Sequence, residues 1–165
     1  MASVGDIDGD GLDDLLIGAS GLDTTGSNHG GAYLVMSADL ADADAADGTT
    51  DGVISMDNVK DQSTSYEFVG EEAGDNAGIS VSSAGDVDGD GKDDLIIGAN
   101  WGDDGGSDYA GTSYLITAAD LAAADAADGT TDGVIDLGNV SQQSSSYQFD
   151  GAAAYDYAGA SVSSA

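Results

Sequence analysis

One nine-residue pattern occurs twice in this chain: Asp6-Ile-Asp8-Gly-Asp10-Gly11-Leu-Asp13-Asp14 and Asp86-Val-Asp88-Gly-Asp90-Gly91-Lys-Asp93-Asp94. Each copy places carboxylates at loop positions 1, 3, 5 and 9 around a glycine at position 6. Carboxylates at that density repel one another unless a cation sits among them. Oxygen-only ligands select a hard cation, and flexible carboxylates suit calcium better than magnesium. Leu12 and Lys92, at position 7, can add a backbone carbonyl each. The expected ligands are therefore Asp6, Asp8, Asp10, Leu12 and Asp14, and Asp86, Asp88, Asp90, Lys92 and Asp94, holding two Ca2+ ions per chain. The spacing matches the first half of an EF-hand loop, but Ile17 and Ile97 stand where its glutamate would be. An acidic, glycine-rich hairpin turn would account for a single copy; two copies in one register favour a cation site.

The loops belong to a longer repeat. Residues 5–84 align with residues 85–165, with one residue inserted before Gly111, and well over half of the aligned positions are identical. A period this long points to a solenoid, propeller or array. The stretch that differs most is Gly21–His29 against Trp101–Tyr109, which marks an exposed loop free of packing constraints.

Each repeat reads as strand-rich. Gly78-Ile-Ser-Val-Ser-Ser alternates apolar and polar residues, the signal of a half-buried strand. Leu95–Gly98, Ser113–Thr117 and Tyr147–Phe149 supply three more strands, the content of one propeller blade. Between the third and fourth lies an alanine-rich run, Thr117–Gly129, matched by Ser37–Gly48. Alanine favours helix, Thr117 can cap its start and Gly129 its end, so a helix of about two to three turns is expected. An extended Gly133-Val-Ile-Asp-Leu follows.

Phe68-Val-Gly70, then Ala77-Gly78-Ile-Ser-Val, then the aspartate loop from Gly85, then Asp94-Leu-Ile-Ile-Gly98-Ala99 resembles the FG-GAP repeat. A second copy starts at Phe149, and its remaining part opens the chain at Gly5. That family builds the calcium-binding β-propeller of integrin α subunits and of bacterial surface proteins. The resemblance implies metal roles for Asp6, Asp8, Asp10 and Asp14 and for Asp86, Asp88, Asp90 and Asp94. Ser20 and Asn100 depart from the family, which often has proline there, and the alanine-rich run makes the unit longer than usual. The implied fold is all-β. It has two propeller blades of four antiparallel strands, residues 1–84 and 85–165, with a short helix inserted in each.

Two blades do not close a ring. The start enters directly into the metal loop, whereas Gly159–Ala165 is a first strand with no loop after it. The expected partner is thus the chain itself. Gly159–Ala165 would pair beside Asp14–Gly18 of the next molecule, giving a trimer or tetramer with six or eight blades. The sequence reads as an excised piece of a larger secreted or surface protein, or an engineered copy of one.

The chain holds 32 acidic residues against two lysines, Lys60 and Lys92, for a net charge of −30. Two dications would bring that only to −26. Nucleic acid and anionic membrane find no basic patch. No cysteine is present, so calcium takes the place of a disulfide staple, which suits a calcium-rich exterior. No apolar run is long enough to span a membrane.

Little points to catalysis. His29 is the single histidine and reads as a solvated loop side chain. No Ser–His–Asp set or Cys–His pair is available, and the paired carboxylates sit in turns rather than a cleft. Asp44, Asp47 and Asp51, with Asp125, Asp128 and Asp132, form a second acidic set that reads as solvated helix ends or a further ion site. Trp101, Tyr109, Tyr155 and Tyr157 lie near the variable stretches and suit either packing or stacking on a ligand. The expected function is a non-enzymatic, calcium-binding scaffold. The alternative is an adhesin- or lectin-like module that binds a glycan or protein through its variable loops.

Overall fold

The computed structural model describes residues 1–23, 28–103 and 108–164. The middle of each variable stretch, and Ala165, lie outside the described residues.

The period-2 and apolar runs form strands where expected. Repeat 1 folds as β1 (Ala2–Ser3), β2 (Leu15–Ala19), β3 (Gly31–Val35) and β4 (Tyr66–Val69), and repeat 2 begins with β5 (Ala77–Gly85), β6 (Asp94–Ala99) and β7 (Thr112–Ile116). After the second inserted segment come β8 (Val134–Asp136) and β9 (Tyr147–Asp150). The second sheet is an antiparallel meander in the order β5-β6-β7-β9. The first sheet repeats that order as β1-β2-β3-β4 but adds β8 as a fifth strand.

β8 corrects the four-strand expectation. It leaves its own repeat and pairs in parallel with β4, matching Glu67 to Val134, Phe68 to Ile135 and Val69 to Asp136. The Glu67 N–H donates to the Gly133 carbonyl at 2.8 Å. A strand edge leaves backbone groups unpaired, and here the second repeat satisfies the first. The same step carries Ile135 into a core it shares with Leu16, Leu34, Phe68, Leu95, Ile97 and Ile116, all of them fully buried.

The sheets approach through glycine. A side chain at Gly18 would strike the Gly78 carbonyl, and one at Gly98 would strike the Gly159 carbonyl. Residues beyond Gly159 therefore lie against the second sheet as β5 lies against the first. Ser80 Oγ donates to the Gly159 carbonyl at 2.7 Å, and the Ser164 N–H donates to Ser82 Oγ at 3.1 Å. Ala2 and Ser3 already pair with Leu16 and Leu15. Of the Asp14–Gly18 stretch expected to receive a neighbour's strand, this leaves Ile17 and Gly18 beyond the reach of β1.

The alanine-rich inserts are helical over about the expected length, but part of each run is 3-10 helix. Each opens with a 3-10 turn, Ser37–Asp39 or Ala118–Asp120, and continues as α1 (Leu40–Ala45) or α2 (Leu121–Asp125). Gly129 ends the second insert at φ 93°. Thr117 makes no capping bond; its Oγ1 lies 2.9 Å from Ser145 Oγ. The tight first turn has another cause. The buried Asp120 carboxylate accepts from the Ser145 N–H and from the hydroxyls of Ser144, Ser145 and Ser146, at 2.8–3.0 Å. Asp39 does the same with Thr64 and Ser65. Each carboxylate thus ties its insert to the segment just before the fourth strand.

Burial opposes ionisation of Asp120, but the serine donors outweigh it and hold its pKa down to about 2, against an ordinary 3.8. A carboxyl whose pKa is lower in the folded chain stabilises it fully above the ordinary value, and that contribution fades as pH falls through the folded value. Asp120→Asn should therefore cost about 2 kcal/mol near neutral pH. Its deficit relative to the parent should shrink between pH 3.8 and about 2. Urea titrations across that range, at constant salt, should show the two proteins converging.

Candidate metal centre

Both aspartate loops sit directly before a central strand, between β1 and β2 and between β5 and β6. Gly11 at φ 91° and Gly91 at φ 92° make the sharp turn. A side chain there would meet no neighbouring atom, so the glycine serves backbone conformation, not space.

The first aspartate organises each loop. Asp6 Oδ1 accepts from the N–H groups of Gly9 (2.8 Å) and Asp10 (3.0 Å), and Oδ2 accepts from Gly11 (2.9 Å). Asp86 holds Gly89 at 2.7 Å and Gly91 at 3.0 Å. The chain thereby curls around one point. Carboxylate oxygens of Asp6, Asp8 and Asp14 come within 4.8 Å of one another, as do those of Asp86, Asp88 and Asp94.

Asp10 and Asp90 stand outside these triads. Each accepts instead from the N–H two residues on, Leu12 at 2.8 Å and Lys92 at 2.9 Å. The position-7 residues are thus placed on the loop by their N–H groups. The Lys92 ammonium leaves its own triad and donates to the Asp8 carbonyl of the other loop at 2.9 Å. The Asp93 N–H donates to the Asp6 carbonyl at 3.3 Å. The two loops are therefore neighbours in space.

The last aspartate of each triad is buried and does two jobs. Asp14 Oδ2 accepts from the Ile7 N–H at 3.0 Å, closing the loop, while Oδ1 accepts from the Ser37 N–H at 2.9 Å, anchoring the insert. Asp94 does the same with Val87 and Ala118, both at 2.9 Å. This is the capping function that Thr117 lacks. Burial pushes the Asp14 carboxyl up, the Ser37 and Ile7 N–H groups oppose it, and Asp8 and Asp10 push it up again. Asp94 is raised for the same reasons. A divalent cation removes that cost. Three convergent carboxylates with no nitrogen or sulfur donor among them fit a hard, oxygen-seeking ion.

An FG-GAP repeat model matches residues 2–36 and 77–116. Together the two matched segments, 75 of the 165 residues, are what this chain has in common with the FG-GAP repeat. Each match covers the aspartate loop and the strands around it, and ends where the alanine-rich insert begins. No curated protein matches the sequence. The FG-GAP cores are thus mounted with inserts and fourth strands that lie outside the matched segments.

The other candidates resolve locally. Asp44 accepts from the Gly52 N–H, Asp47 from Thr49, and Asp51 from Val53; Asp125, Asp128 and Asp132 repeat this with Gly133, Thr130 and Val134. Among the described residues only the two FG-GAP loops gather three carboxylates. His29 is half-buried, and its carbonyl accepts from Ala77. Tyr109 is the hub of an exposed aromatic patch. Its ring centroid lies 6.0 Å from Trp101, 5.8 Å from Tyr155 and 6.5 Å from Tyr157. Tyr109, Tyr155 and Tyr157 all have positive φ, a conformation disfavoured for such residues. The sequence showed these aromatics near one another but not their backbone strain. The dual role of Asp14 and Asp94 was also missed, because their second partners are 23 to 24 residues away.

A β-branched side chain cannot follow the turn at Gly91 without strain of about 1–3 kcal/mol. Gly91→Val should weaken divalent-cation binding at that loop roughly tenfold to a hundredfold, although no ligand is lost. Isothermal calorimetry showing unchanged affinity would overturn this account of the turn.

Proposed function

We propose that this chain is a non-enzymatic, calcium-stapled β-propeller module of a secreted or cell-surface protein. On this reading its two sheets are two blades, and copies of the chain join head to tail. The reading rests on one observation above all. Each sheet carries the same carboxylate triad at the same place, with its buried member joining loop to insert. Asp6, Asp8 and Asp14 would hold one Ca2+ ion and Asp86, Asp88 and Asp94 another. Asp10, Asp90 and the carbonyls of Leu12 and Lys92 complete the sets. The ion supplies charge neutralisation; the chain positions its ligands through the Asp6 and Asp86 networks. A closed ring of six or eight blades takes three or four copies. Membrane insertion forms no part of the proposal: among the described residues no helix is long and apolar enough to cross a membrane.

Metal binding of this kind is linked to folding. Excess chelator should lower the melting temperature by ten degrees or more, roughly the effect of a few kcal/mol on a chain of this size. Calorimetry should find two calcium sites, and Asp88→Ala should leave one. A melt indifferent to chelator would defeat the proposal.

The strained aromatic patch supports a second reading. Trp101, Tyr109, Tyr155 and Tyr157 are each about half exposed, and such rings stack well on sugar faces or protein side chains. Asp75, Asp103 and Asp108 line the same hollow as Trp101 and Tyr109, where carboxylates can accept from sugar hydroxyls. A glycan array should then show binding that Trp101→Ala abolishes; a blank array with the parent chain would remove the glycan form of this reading.

A further inference from the structure

The two repeats have nearly the same sequence but different burial, and the difference is systematic. Repeat 1 buries Ile7 and Phe68 and half-buries Tyr66. Their counterparts in repeat 2 are open: Val87 is 51% exposed, Phe149 52% and Tyr147 57%. On the opposite side the order reverses. Repeat 2 buries Leu95, Ile97, Leu121, Ile135 and Leu137. The matching Leu15, Ile17, Leu40, Ile54 and Met56 of repeat 1 are only partly covered. Each chain therefore presents two unlike apolar faces. One is the kind of surface that repeat 1 turns toward repeat 2, and the other is the kind that repeat 2 turns toward repeat 1. The junction within the chain already shows how such faces fit.

The backbone carries the same message. At the internal junction β8 adds to β4. The edge of β9 is the repeat of β4, and among the described residues no strand pairs with it on that side. The repeat of β8 is Val53–Ser55, which belongs to no strand and leaves Val53 64% exposed. Donor and acceptor are thus both present in one molecule and do not pair with each other within it.

We propose that Val53–Ser55 of a second copy of this chain adds to β9 as a parallel fifth strand. Carried over from the internal junction, the register sets Val53 opposite Gln148, Ile54 opposite Phe149 and Ser55 opposite Asp150. The contact is heterologous, so it propagates until a ring closes. The open seam also differs from the closed one. Lys92 bridges the loops at the internal junction, but Leu12 takes its place at the seam and donates nothing. The seam is correspondingly more apolar, and two copies each carrying −30 associate only where cations and salt screen them.

This seam rests on the proposed self-assembly, and the two are separable by experiment. The chain has no cysteine, so single cysteines report contacts cleanly. Val53→Cys and Gln148→Cys proteins, mixed in calcium under mild oxidation, should cross-link into dimers at least tenfold more than Val53→Cys mixed with Asp150→Cys. The latter pair stands two residues out of register, too far for a disulfide. Phe149→Asp, at a position already exposed in the single chain, should weaken association at least tenfold while preserving calcium binding. A parent chain that stays monomeric by light scattering in calcium overturns self-assembly and the seam with it. An oligomer that forms without selective cross-linking, or that tolerates Phe149→Asp, overturns the seam alone.

Discussion

The structure turns on a buried carboxylate at the end of each aspartate loop. Asp14 and Asp94 each accept one N–H from their own loop and one from an insert more than twenty residues away. Burial pushes the pKa of such a group up, and the neighbouring aspartates add to that pressure. What keeps it useful as an anion is a set of fixed donors and, on the proposed reading, a cation. The aspartate loop is therefore a joint between the central strand and the helix-bearing insert, and not an ornament on a finished sheet.

A second constraint comes from charge. A chain with 32 acidic residues and two lysines cannot staple itself with ion pairs. It relies instead on carboxylates that accept from backbone and hydroxyl donors. Asp39 and Asp120 pin the inserts to serines, and Asp47 and Asp128 hold the turns after the helices. Of its two cations, one is spent between the loops, where Lys92 meets Asp8; the other, Lys60, lies 3.9 Å from Glu67 beside the β4–β8 junction. Both positive charges thus stand at the boundary between repeats, where like-charged surfaces come closest.

Near-identity of the repeats also explains why the inserts matter. The FG-GAP segments supply the first three strands of each meander and already share a core. The insert of repeat 2 reaches back with β8 and places Ile135 in a common core. One repeat therefore completes the other, and the sheets cohere through exchanged structure as well as packed faces. The same logic leaves Val53 and the outer edge of β9 open, since among the described residues no strand pairs with either.

The sequence by itself determined the repeat, the strands and the loops, because these depend on local chemistry. Alternation sets the strands, glycine at position 6 sets the turn, and aspartates at fixed spacing face inward wherever the loop curls. It also determined that an extended segment follows each helix. Tertiary structure decided the rest. Thr117 looked like a helix cap, but Asp94 takes that role once β6 brings it beside Ala118. Asp10 and Asp90 looked equal to the other aspartates, yet the backbone turns them toward the N–H of position 7. Val134–Asp136 became a strand while Val53–Ser55, nearly the same residues, did not. What Val134–Asp136 has and Val53–Ser55 lacks is a β edge alongside, and that is a property of neighbours in space which no local pattern records.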